Sequence, residues 1–165
     1  MRDLLVPLMA LALIGLAVLV HFNALRLLSY WQNRSVTTGH ITILVVIFGL
    51  IVAHAIEAGV FAAGYWIGVR WFHLGEFVGS LRLNAGQMFY FSIETFTTQG
   101  VGDVYINGPL RLVASLEPLA GLILIGWSVS FTFLIMGLDW GISTQKTTQA
   151  ALKDMSGPVQ PPQNP

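Results

Sequence analysis

Ser92-Ile93-Glu94-Thr95-Phe96-Thr97-Thr98-Gln99-Gly100-Val101-Gly102-Asp103 is the stretch on which the reading of this chain turns. Its second half, Thr98 to Asp103, lies between hydrophobic segments and carries Gly100 and Gly102 on either side of Val101. Glycine takes backbone conformations that a side chain forbids, so consecutive carbonyls can turn toward one axis instead of alternating as in a strand. A ring of such carbonyls replaces the hydration water of a cation. The run therefore predicts a cation site built from backbone. The carbonyls of Thr98, Gln99, Gly100 and Val101 and the Thr98 hydroxyl are its successive positions, and Gly102 closes the run.

Composition sets the surroundings of that run. The chain has 165 residues, of which 55% are hydrophobic and 10% charged; formal net charge is zero and mean hydropathy is +0.70. These values point to a membrane protein. Zero net charge with dispersed Lys and Arg gives no electrostatic footprint for nucleic acid. The absence of cysteine removes disulfides, thiolate metal sites and thiol catalysis together. No Ser/His/Asp set, phosphate loop or cluster with metal-ligand spacing stands out, so no enzyme and no cofactor is expected. One chain of this size cannot enclose an aqueous pore alone, so a pore requires several copies around an axis.

Three segments are long enough to span a bilayer, which asks for about 20 apolar residues. The first runs from about Leu4 to Phe22, with Pro7 near its start and His21 at its end. It reads as a retained helix, because Asp3 offsets Arg2 and no small-x-small cleavage site precedes Asn23. The segment from Asn23 to Gly39 carries Arg26 and Arg34 without an acid, and Tyr30-Trp31 suits a headgroup interface; it reads as a cytoplasmic loop. The second span covers about Ile41 to Trp66 and ends in an aromatic cluster, Tyr65, Trp66, Trp71 and Phe72, expected at the opposite interface. The third covers about Leu110 to Trp140, with Pro109 in its first turn. Asn84 to Thr97 is too short to cross and reads as a re-entrant helix, followed by the glycine run as extended chain. Non-helical backbone at membrane depth is tolerated only when it is buried in protein or lines water. The C-terminal end of such a helix favours a cation.

The order of elements from about Gly39 to Leu138 resembles the pore domain of tetrameric potassium channels, in which an outer helix, a pore helix, a filter and an inner helix follow one another. Ser92-Ile93-Glu94-Thr95 is similar to the Ser-Val-Glu-Thr ending the pore helix in prokaryotic members. His54-x-x-Glu57 and Gly121-Leu-Ile-Leu-Ile-Gly-Trp127 resemble bacterial three-span ion-channel proteins. The resemblance implies an all-α membrane protein, three transmembrane helices plus a re-entrant pore helix and an extended selectivity filter, assembled as a homotetramer. It implies passive conduction of monovalent cations, potassium preferred, with K+ or another monovalent cation held at Thr98, Gln99, Gly100 and Val101 and no cofactor. It also implies a bacterial inner-membrane location, with lipid and monovalent cations as the remaining partners. The cytoplasm then holds the C-terminus, and the N-terminus lies outside.

Two positions depart from the family pattern Thr-Val-Gly-Tyr-Gly-Asp: Gln99 and Val101 occupy its variable places. In the family these side chains pack behind the filter, and a pore-helix tryptophan commonly holds the aromatic hydroxyl. Tyr90-Phe91 stands where two tryptophans are frequent, so the donor at Phe91 and the acceptor at Val101 are both missing. That leaves no buried partner unpaired. Val101 then packs apolarly, while the Gln99 amide needs partners. Glu94 lies at the family spacing from Asp103, at which the two carboxyls brace the filter and share one proton. Gly121 falls near the family's inner-helix hinge and Gly126 offers a second bending point; small residues also simply let helices approach.

His54 and Glu57 share one helical face in mid-span, where ionisable groups are expensive and need partners. Candidates are each other, Glu117 or Gln99. Interhelical bonding is the structural reading, and a pH-sensing or metal role is the functional one. Glu117, beside Pro118, is buried unless it reaches the pore-helix region. Phe131, Phe133 and Met136 are placed to narrow the cytoplasmic mouth, or to face lipid. The resulting division is 1–38 for the first helix and loop, 39–140 for the pore domain and 141–165 for a polar, proline-rich tail. The competing readings are a non-selective cation channel and a non-conducting scaffold of the same fold.

Overall fold

The computed structural model describes residues 2–34, 40–79 and 84–139. The tail at 141–165, Trp140 and residues 35–39 lie outside the described residues. The elements are α1 (Arg2–Arg34), α2 (His40–Arg70), β1 (Glu76–Gly79), α3 (Ala85–Phe96), β2 (Val104–Asn107) and α4 (Arg111–Asp139). The chain is mostly helical, and Leu4–Gln32, Ile41–Arg70 and Arg111–Gly137 are each long and apolar enough to cross a membrane. At about 1.5 Å per residue such helices exceed 40 Å, longer than a hydrocarbon core of about 30 Å, so they cross tilted or protrude. With 12 residues, α3 reaches about 18 Å and cannot cross.

The first helix corrects an expected boundary. The segment from Asn23, read as a loop, stays helical to Arg34. No glycine or proline interrupts residues 23–34, and Asn23 Nδ2 donates to the Leu19 carbonyl at 2.7 Å, satisfying the amide on the helix surface. The polar and aromatic residues there do not end the helix.

α1 runs antiparallel against α2, and glycines on α2 set the register. A Cβ on Gly49 would stand 2.7 Å from Leu28, one on Gly64 2.5 Å from Leu13, and one on Gly68 3.2 Å from Met9. Small residues on a spanning helix admit a neighbour's side chains in this way. The same register sets His21 opposite Glu57. The main core joins Val6, Ala10 and Ala17 of α1 to Ala58, Phe61 and Tyr65 of α2, Phe91 and Phe96 of α3, and Val113, Ala120 and Leu124 of α4. A second cluster, Leu25, Val46, Leu50 and Ile135, closes the far end. The start of α1 therefore lies at the same end of the molecule as α3 and the strands, and the end of α4 lies opposite.

A two-stranded antiparallel sheet, which the sequence did not announce, flanks the glycine run. Gly79 pairs with Val104 and Glu76 with Asn107. β2 begins immediately after Asp103 and buries Val104 and Ile106. From Gly108, at φ +83, the chain turns into α4. Pro109 sits in that turn, two residues ahead of the helix instead of in its first turn, and its carbonyl accepts from Leu112 N at 3.1 Å.

Candidate ion-conduction site

The pore helix α3 is fixed at both ends by local bonds. Asn84 Oδ1 accepts from Gln87 N at 2.9 Å, the expected N-cap geometry. At the other end the glycine run caps the helix: Thr97 N donates to the Ile93 carbonyl and Thr98 N to the Thr95 carbonyl, both at 3.0 Å, and Gln99 N to the Glu94 carbonyl at 2.8 Å. The run thus leaves the helix with its first amides already committed.

Beyond that point every second residue is left-handed: Thr98 at φ +62, Gly100 at +55 and Gly102 at +82. Gln99 and Val101 between them keep negative φ. Left-handed alternation turns successive peptide planes the same way, as the glycine spacing requires. Thr98 is β-branched and holds this conformation against strain of about 1–3 kcal/mol, the kind of outlier found at functional sites. Thr97 to Asp103 are all exposed in the single chain. Val101 is 55% exposed and the Gln99 side chain lies open, so the packing expected for both is not supplied by their own subunit.

Phe91 turns the other way. It is buried, with its ring edge-on to Tyr65 at 5.3 Å and to Phe77 at 5.1 Å. The neighbouring Tyr90 carries a hydroxyl toward the filter: its hydrogen bond with Glu94, with some burial and the charge of Asp103, pushes the phenol up to about 12. Tyr90 thus lies close to both carboxyl residues that the sequence paired directly. Glu94 is buried, and its Oε1 has no hydrogen-bond partner among the described residues.

Behind the pore helix, Glu117 joins three elements. Tyr65 Oη of α2 donates to Glu117 Oε2 at 2.5 Å, and Ser92 Oγ of α3 lies 2.5 Å from Glu117 Oε1 and 2.6 Å from the Ala58 carbonyl. Ser92 has one proton to give, and the Ala58 carbonyl can only accept. Satisfying all three contacts takes a proton on Glu117, donated to Ser92. So Glu117 does reach the pore helix. Tyr65, expected at an interface, is instead fully buried, while Trp66, Trp71 and Phe72 remain exposed.

The other mid-membrane acid is met from an unexpected side. His54 Nδ1 and His21 Nδ1 each lie 2.9 Å from an oxygen of Glu57, Oε2 and Oε1 respectively, and His54 Nε2 lies 3.0 Å from Ser128 Oγ. Of the candidates read from sequence, His54 and Glu57 do meet each other; Glu117 and Gln99 are not among their partners. His21 of the first span was missed, because no pattern in one sequence fixes which face of α1 meets α2.

On α4, Gly121 passes the Phe96 carbonyl so closely that a Cβ would stand 2.0 Å from it, whereas nothing lies within 4 Å of a Cβ on Gly126. Gly121 is thus a point of close helix approach, and Gly126 faces open space. Phe131 packs into the cluster of Leu25, Val46, Leu50 and Ile135, while Phe133 is 75% exposed, so the two do not share a face.

No curated protein and no solved structure gives a match to the chain. The family described as "Ion channel" matches residues 40–136, which run from the start of the outer helix α2 through the pore helix and filter loop to the last turns of α4. More than half of the chain is covered, and the protein belongs to this ion-channel family.

Proposed function

We propose that four copies of this chain surround one axis and conduct monovalent cations, potassium preferred, through the carbonyls of Thr98, Gln99, Gly100, Val101 and Gly102. The observation that carries the reading is the left-handed alternation at Thr98, Gly100 and Gly102 in an exposed loop held by buried helices. One chain leaves that loop uncovered, and neighbouring copies are what give its carbonyls a common axis. Glu94, Tyr90 and Asp103 support the outer end of the filter. Gly121 holds α4 against the pore helix, and bending for opening falls at Gly126, where there is room. The C-terminus faces the cytoplasm in this reading, and the N-terminus lies outside with the filter.

Val101 has no hydroxyl for the wall behind the filter, so selectivity rests on apolar packing from the neighbouring subunit. The test is the reversal potential in asymmetric potassium and sodium, measured on the reconstituted protein and on Gln99→Val plus Val101→Tyr. Potassium preference that rises in the double variant supports the reading. Equal permeability to the two ions identifies a non-selective cation channel, and absence of any conductance identifies a scaffold.

A further inference from the structure

We propose that His21, His54 and Glu57 form a binding site for a divalent transition-metal ion of the zinc class, set between α1 and α2 and apart from the filter. One ligand atom from each residue lies within 4.8 Å of the others. Bonds of about 2.0 Å at the tetrahedral angle place ligand atoms about 3.3 Å apart. Each 2.9 Å contact to Glu57 is within a few tenths of an ångström of that, and the widest separation in the set, within 4.8 Å, closes by up to about 1.5 Å through side-chain rotation. Two imidazoles and a carboxylate are the donor set of borderline cations such as Zn2+ and Co2+, and a poor one for Mg2+ or Ca2+.

Charge points the same way. Glu57 and His21 are fully buried, and the described hydrogen bonds and ion pairs give Glu57 no Lys or Arg partner. A carboxylate in the membrane interior needs a counter-charge, and a cation held between Glu57 and the two rings supplies one. His54 has the surroundings of a metal ligand. Its Nε2 faces Ser128 Oγ, which accepts the ring N–H once Nδ1 turns to the metal and fixes the ring's orientation. Its side chain is 21% exposed, which leaves a route for the ion and a position for a fourth ligand. Among the described residues His21 Nε2 is buried without a hydrogen-bond partner, so this ring is held at a cost in polar satisfaction.

Untagged full-length protein in detergent, titrated with Co2+, tests the site. The expected result is one Co2+ per chain with the intense visible absorption of tetrahedral cobalt, displaced by Zn2+, and affinity falling more than about 100-fold in His21→Gln and in Glu57→Gln. Because the chain has no cysteine, His54→Cys introduces its single thiol at the site. A near-ultraviolet thiolate-to-cobalt band in that variant shows direct ligation. Should His21→Gln or Glu57→Gln fail to fold, the wild type and His54→Cys decide between them. No stoichiometric Co2+ on the wild type, binding unchanged in both glutamine variants, or no thiolate band in His54→Cys would overturn the proposal.

Discussion

Glu57 and Glu117 are both fully buried acids on spanning helices, yet their surroundings differ in kind. Glu117 is closed by hydroxyls: Tyr65 and Ser92 use both of its oxygens, and Ser92 passes the bond on to a backbone carbonyl. Glu57 is closed by imidazoles, one of which keeps a nitrogen with no partner among the described residues. A hydroxyl partner stays neutral at every ordinary pH, so the Glu117 network acts as a structural tie behind the pore helix. Imidazoles exchange protons and bind metals near neutrality, so the Glu57 cluster is the one of the two able to respond to its surroundings. Burial alone separates nothing here; the chemistry of the partners does.

The largest effect that would break this contrast is expected at Glu117. Glu117→Ala leaves Tyr65 and Ser92 without their partner and opens a cavity, a loss of about 3–5 kcal/mol by the sum of orphaned hydrogen bonds and missing volume. Glu117→Gln offers one N–H to Ser92 and one oxygen to Tyr65, the pattern of a neutral acid, and its cost is about 1 kcal/mol or less. Unfolding in a detergent series reads both. If the glutamine variant is as damaged as the alanine one, the acid is ionised and the proton count given for it is wrong.

Gly121→Ala comes next. A Cβ would press on the Phe96 carbonyl, and backbone on both sides leaves little room to yield. Overpacking of this kind costs about 1–3 kcal/mol and displaces the end of the pore helix from α4. Conductance should fall sharply, while Gly126→Ala, in open space, should keep the fold. Equal loss of stability in the two variants would contradict the packing role given to Gly121.

A smaller effect is expected at His21. His21→Phe keeps an aromatic ring near Trp127 but removes the donor to Glu57 Oε1, for a cost of about 1–2 kcal/mol. A change much smaller than the one at Glu117→Ala would sharpen the contrast between the two acids. Parity would erase it.

The smallest effect belongs to Tyr90. Its hydroxyl is raised to about 12 by the hydrogen bond with Glu94, with burial and Asp103 adding to it. The folded state therefore holds this proton more tightly than an unfolded phenol near 10. The resulting stabilisation is fully present below about pH 10 and is lost as pH rises through about 12. Tyr90→Phe should lack that part of the alkaline loss in a thermal-melt series, and an unchanged alkaline slope would show that Tyr90 does not touch the two acids.

Much of this was legible in the sequence where one constraint dominates locally. Glycine at 100 and 102 declares a left-handed backbone, and long apolar runs declare the spans, because neither needs a partner elsewhere in the chain. Thr98, the third left-handed residue, carries no such signal. Helix ends were less legible: Asn23, Arg26 and Tyr30 mark an interface, yet a helix outlasts the hydrocarbon when no breaker follows. Pairings across helices were least legible. His21 meets Glu57 because Gly49, Gly64 and Gly68 fix an antiparallel register, and nothing in the sequence says which α1 side chains those glycines receive. Tyr65 read as an interfacial aromatic because it adjoins Trp66, although only its neighbours face outward. Ser92 was visible as part of a motif, but not as the hydroxyl through which Glu117 holds the pore helix.

The central claim is that carbonyls from identical chains encircle a single file of cations. Anomalous scattering from crystals grown in thallium salts tests it most directly. The account predicts a row of peaks on a fourfold axis, spaced between the carbonyls of Thr98 and Gly102. A monomer, or an assembly in which Gly100 and Gly102 face lipid and no peak lies on the axis, would contradict it.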